Sequence, residues 1–128
     1  MNITQKNKNI LTKGSAFGQR DLMQFANDKE AYHQLMMDLV QQQVLSTSLI
    51  LNDASTRKIF VDGGFSKNSL FMNLLAASFP NMEIFAASMA QATALGSALA
   101  IHYHWNKKAM PKNIIELKYY SVKHEAAL

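Results

Sequence analysis

The sequence predicts an α/β domain in which short strands are packed between helices. Three observations lead there. The order of patterns is helix, strand, glycine turn, helix, strand, helix, which is that of a layered α/β unit. The helical stretches place apolar residues at steps of three and four. The run Ile59-Phe60-Val61 is β-branched and aromatic without alternation, which suits a strand covered on both faces. A chain of 128 residues is long enough for one domain with a core of its own.

Composition narrows the classes. Hydrophobic residues make up 48% and charged residues 17%, a globular balance rather than a disordered one. No apolar run reaches the length of a membrane span, and the polar start shows no secretory pattern. Cysteine is absent, so neither disulfides nor thiolate metal sites can form; a reducing, cytoplasmic setting is expected. The net charge is +4, with a sequence pI of about 9.4. Part of that excess sits near the ends, at Lys6, Lys8, Lys13 and Arg20, and at Lys107, Lys108, Lys112, Lys118 and Lys123. Such ends could meet nucleic acid or form solvated loops. Without a zinc, helix-turn-helix or RNP-type pattern, no nucleic-acid partner is expected.

Residues 1–26 read as a polar lead-in, loop or disordered, punctuated by Gly14 and Gly18. Asn27 is a good N-cap, and Glu30 three residues on completes a capping box. The helix it opens is expected over 29–51. Tyr32, Leu35 and Leu39 form one stripe, and Met36, Val40, Val44, Thr47 and Leu51 the next. His33, Asp38 and Gln41 to Gln43 fall largely off that face. A turn is expected over 52–55, a strand over 58–62, and a helix capped by Ser66 and carrying Leu70, Phe71, Leu74 and Leu75. Pro80-Asn81 ends that helix, and a second strand is expected over 82–85. After a loop of small residues, Ser88 and Gln91 make another capping box for a helix over 90–105. Ala92, Gly96 and Ala100 give that helix a small-residue stripe, suited to close packing or to approach by a ligand. His102 and His104 are not placed to share a metal, and Trp105 reads as a packing cap. A further strand-like piece is expected over 113–120. The divisions predicted are 1–26, a core over 27–106, and a C-terminal extension over 107–128.

Chemistry concentrates at Asp62-Gly63-Gly64-Phe65-Ser66-Lys67-Asn68, which leaves the carboxyl end of a strand, where open α/β sheets bind ligands. Glycines there let backbone N–H groups approach a phosphate-bearing ligand, or make an ordinary tight turn. Ser66 and Asn68 add hydrogen-bonding groups and Lys67 adds charge. The pattern is neither G-x-G-x-x-G nor a P-loop, and no acidic motif for Mg²⁺ accompanies it.

The stretch from Val61 to Met72 resembles the adenosine-binding segment of the FGGY family of carbohydrate kinases. The resemblance continues through Leu74-Leu75-Ala76 and the second strand to Gln91-Ala92-Thr93-Ala94-Leu95-Gly96-Ser97-Ala98, similar to the family's E-A-x-A-L-G-A-A. It spans about residues 28–103 and is nearest in flavour to rhamnulokinase- or fuculokinase-like bacterial kinases. It implies part of an actin-like ATPase (ribonuclease H-like) domain. By position Gly63, Gly64 and Asn68 would contact the adenosine of ATP, with Ser66 and Lys67 nearby. Phe65 stands where many members have glycine or alanine, and would narrow the pocket or turn outward. Gln91 replaces a common glutamate, keeping a capping-box partner but losing the charge.

The family's phosphate loop, catalytic aspartate and most sugar contacts match nothing here, so no catalytic or metal-ligating residue is expected in this chain. What the resemblance implies is the C-terminal part of an ATP-dependent sugar kinase, inactive alone, with Mg²⁺ and the sugar engaged only in the full-length enzyme. Exposed apolar faces would then favour self-association. The alternative is a non-catalytic remnant, or a nucleotide-binding or interaction module of the same fold.

Overall fold

The structure, a computed structural model, describes residues 14–51, 55–87, 92–112 and 114–121. Two short 3₁₀ turns, Ala16–Gln19 and Leu22–Gln24, lead into helix α1, Asp28–Ile50. Strand β1, Lys58–Val61, runs into a 3₁₀ turn at Gly64–Lys67 and then helix α2, Ser69–Ser78. Strand β2, Glu83–Ala87, is followed by helices α3, Ala92–Ala100, and α4, His102–Trp105, and by strand β3, Leu117–Tyr120.

Local chemistry explains both long-helix starts. The Asn27 side chain accepts from Glu30 N at 3.0 Å, satisfying one of the first unpaired amides of α1. The Glu30 carboxylate reaches back to Ala26 N at 2.8 Å, one residue before the partner an ideal capping box would use. Helix α2 is capped by Asn68, whose Oδ1 accepts from Phe71 N at 3.1 Å. Ser66, the expected cap, is instead consumed in the preceding 3₁₀ turn, which moves the helix start two residues on.

The described strands form one sheet in the order β1-β2-β3. Strands β1 and β2 are parallel, with Lys58 opposite Glu83 and Val61 opposite Ala86. Helix α2 supplies the crossover that a parallel pair requires. Strand β3 returns antiparallel along β2, pairing Leu117 with Ala87 and Tyr120 with Ile84. Helix α2 lies against the inner face of the sheet, and α1 packs along α2.

The core joins Met36 and Val40 of α1, Phe71, Met72, Leu75 and Ala76 of α2, Ile84 and Ala86 of β2, and Tyr120 of β3. Met72 and Ile84 are fully enclosed, each worth about 1.5–3 kcal/mol of apolar burial.

Several expectations are corrected. Among the described residues, helices cover the strands on one face only. On the other face Phe60, Phe85 and Tyr119 stand opposite one another across the three strands, with ring centroids 5.3 Å apart at both steps. Phe60 is 56% exposed and Tyr119 53% exposed. The lack of alternation at Ile59-Phe60-Val61 therefore reflects aromatic pairing along an open face, not burial on both sides. The helix expected over 90–105 is two helices, broken at Ile101, whose φ of −105° and ψ of 9° leave the helical range. At the centre of its small-residue stripe, a Cβ added at Gly96 would meet no described residue within 4 Å. Trp105 is exposed and touches His102 edge-on rather than capping the core. Asp38, expected off the apolar face, is buried at 4% exposure because Arg20 reaches over it. The capping pair Ser88 and Gln91, most of the turn over 52–55, and Lys6, Lys8, Lys13 and Lys123 lie outside the described residues.

Candidate functional site

The carboxyl ends of the two parallel strands, β1 and β2, lie side by side and open onto the turn at 62–68. Gly63 has φ 81° and ψ −158°, a conformation that residues with a Cβ essentially do not adopt. It lets the chain leave β1 and reverse directly into the 3₁₀ turn. Gly63 and Gly64 are both exposed, and an added Cβ at either would meet nothing within 4 Å. The two residues thus present bare backbone to open space, a surface that a flat ligand could approach closely.

Ser66 is buried beneath them at 5% exposure. Its hydroxyl lies 2.8 Å from Gly63 O and 3.1 Å from Ala87 O. With one hydrogen it donates to one carbonyl at a time, and either choice fixes the turn; the second ties it to the end of β2. Ser66 is therefore a fastening of the site rather than an exposed contact. Lys67 is exposed. A cleft of about 350 Å³ runs beneath the turn, lined by Ser66, Lys67, Ala86, Ala87, Glu116 and Lys118 among others. The Lys118 ammonium lies 4.9 Å from the Tyr120 ring centre, in cation–π range.

Asn68 is half-buried and its side chain is fully occupied. Oδ1 caps α2, while Nδ2 donates to the Tyr32 hydroxyl at 2.7 Å and faces Met36 Sδ at 3.5 Å. The structure brings all five sequence-predicted residues to one turn, but only Gly63, Gly64 and Lys67 are open to a ligand through their exposed surfaces. Phe65 leans away from the cleft, its ring 4.6 Å from that of Phe71. It lines a separate cavity of about 290 Å³ with Thr47, Val61 and Leu75. The larger residue at this position thus leaves the cleft side of the turn clear.

Two grooves of about 370 Å³ lie along the α1–α2 surfaces and near the Phe79–Met82 turn. Neither is lined by a charged side chain, and neither touches a strand's carboxyl end. Among the described residues no three His, Cys, Asp or Glu side chains gather as a metal cage. No described helix is long and apolar enough to cross a membrane. His33 and His104 are exposed, and His102 is buried with Nε2 2.9 Å from Lys108 O.

Sequence reasoning missed two parts of the support. One is Tyr32, read only as a stripe residue; nothing local marks its hydroxyl as a partner of a residue 36 positions on. The other is the Arg20–Asp38 pair. Arg20 Nε donates to Asp38 Oδ2 at 2.6 Å and Nη2 to Oδ1 at 2.9 Å, while Gln34 Nε2 donates to Oδ1 at 2.8 Å. These bonds outweigh the cost of burial and hold the Asp38 carboxyl below its ordinary range.

A search of curated proteins and a search of solved structures return no match. A comparison with protein-family models matches residues 8–105 to the FGGY family of carbohydrate kinases, C-terminal domain. That match takes in β1, the glycine turn, the crossover helix and β2; the stretch at Glu116 to Lys118, which also lines the cleft, lies beyond it. Matched over most of its length, the chain, with its glycine turn at the carboxyl ends of its parallel strands, belongs to the FGGY family of carbohydrate kinases, in the region of their C-terminal domain.

Proposed function

We propose that the chain forms the adenosine-binding wall of an ATP-dependent carbohydrate kinase with an actin-like ATPase (ribonuclease H-like) fold. The observation that carries this reading is the bare backbone of Gly63 and Gly64, held open over the carboxyl ends of two parallel strands. A purine can lie against such a surface, and backbone N–H groups can meet its polar edges or the ribose. Gly63 and Gly64 supply the contact surface, Lys67 the nearby positive charge, and Ser66 and Asn68 the shape. The side chain of Asn68 shapes the turn rather than reaching the ligand.

ATP, when bound, supplies the phosphoryl group that passes to a sugar hydroxyl. Transfer requires a base, a metal and an aligned acceptor together. The described residues fit the adenosine end of ATP but offer no carboxylate cluster for Mg²⁺, so they do not fit the metal. In this reading the sugar and the reacting phosphate are held by parts of the kinase outside this segment, and the work is cytoplasmic. Rhamnulose- and fuculose-like deoxysugars are the first acceptors to test.

The test is a titration of isotope-labelled protein with ATP, adenosine and pyrophosphate, following the backbone amides of residues 63–68. ATP and adenosine should perturb the same amides, and pyrophosphate alone should leave them in place. Perturbation by pyrophosphate but not by adenosine would move the site to the phosphate end, and no response to ATP or adenosine would remove the reading.

A further inference from the structure

We propose that Tyr32 is a positioning residue of the nucleotide turn, acting through Asn68 to fasten residues 63–68 to α1. The proposal deepens the adenosine reading and rests on it for its function, though not for its geometry. A primary amide has one acceptor oxygen and two N–H hydrogens. At Asn68 the oxygen is committed to the α2 cap, 3.1 Å from Phe71 N. This orientation sends the NH₂ group toward α1, where it meets the Tyr32 hydroxyl at 2.7 Å and Met36 Sδ at 3.5 Å. The hydroxyl accepts; the thioether is a weak acceptor. Of these two contacts, Tyr32 is therefore the strong tie between the turn's last residue and α1.

The turn is consequently held from two sides. Ser66 fastens it to the carboxyl end of β2, and Tyr32 fastens it to the first part of α1. Helix α1 can serve as an anchor because its own start is fixed, by Asn27 and Glu30 at the cap and by Arg20 on Asp38 a few residues on. A ligand recognised through bare backbone depends on backbone placement, since no flexible side chain can make up for an error. Loss of the Tyr32 hydroxyl removes neither the α2 cap nor any core contact, yet leaves only the weak Met36 Sδ contact between the Asn68 amide and α1.

Amide hydrogen exchange on the whole chain tests the fastening without any ligand. Tyr32→Phe should speed exchange at the Ser66 and Asn68 amides by about fivefold, as expected for one lost hydrogen bond, with Val40 and Leu75 unchanged. No change at Ser66 and Asn68, or equal acceleration at Val40 and Leu75, overturns the proposal. Adenosine affinity tests the functional half. Tyr32→Phe should weaken it by about the same factor. Equal affinity in Tyr32→Phe and the parent overturns the positioning role. Absence of adenosine binding in the parent chain overturns the adenosine reading instead, and the exchange result still decides the fastening.

Discussion

Gly63 shows how much one residue's backbone can decide. Its φ of 81° with ψ of −158° is open to glycine alone, whereas Gly64 lies outside the left-handed region and has free space at its Cβ position. Gly63→Ala should therefore cost about 1–3 kcal/mol of stability, read as a lower urea midpoint, while Gly64→Ala should leave the midpoint nearly unchanged. Equal effects at the two positions would mean that the strain is not where the backbone puts it. The glycine pair was legible in the sequence as a close-approach turn, but not which glycine carries the strain. Side-chain roles were less legible. Ser66 and Asn68 read as ligand groups because they are polar and follow glycines. Packing turned both inward, Ser66 to two carbonyls and Asn68 to Phe71 N and Tyr32.

Among the elements, α1 was the most legible, because its capping residues and its three-and-four apolar rhythm are local properties of the chain. Its register against residues before it was not. Asp38 is one of the three buried residues of α1, and its burial depends on Arg20, 18 positions earlier. The pair sets a pH dependence whose sign is fixed. Asp38 is held below its unfolded value near 3.8, so the folded state prefers the ionised form. The stabilisation is fully present above the unfolded value and is lost as pH falls through the folded one, progressively below about pH 5. Urea unfolding followed from pH 6 downward should show this loss in the parent chain and a flatter acid limb in Asp38→Asn. An acid limb of unchanged slope in that variant would assign the effect to other carboxylates. Helices α3 and α4 misled the sequence reading for the opposite reason. Their small and apolar residues signal contact, yet a Cβ at Gly96 would meet no described residue within 4 Å, and Ile101, Tyr103 and Trp105 are exposed.

On the scale of the whole molecule, the sheet has one packed face and, among the described residues, one open one. The open face carries Phe60, Phe85 and Tyr119 in a row, with Leu117 beside it and the Lys58–Glu83 pair at its rim. Apolar area of this kind promotes self-association. Sedimentation should show the protein associating with rising concentration, and Phe60→Lys should weaken that without lowering the unfolding midpoint, since Phe60 lies outside the core. If the variant associates as strongly as the parent, association runs through another surface. The α/β class, the order of elements, the caps of α1, the position of the glycine turn and the kinase resemblance were readable from the residues alone. Each of these depends on neighbours within a few residues or on the spacing of motifs. Tertiary structure alone decided which sheet face is covered, that Asp38 is buried, and that Asn68 belongs to Tyr32 and α2. Those outcomes are settled by partners far along the chain, and a buried polar group takes whichever partner the fold brings within hydrogen-bond reach.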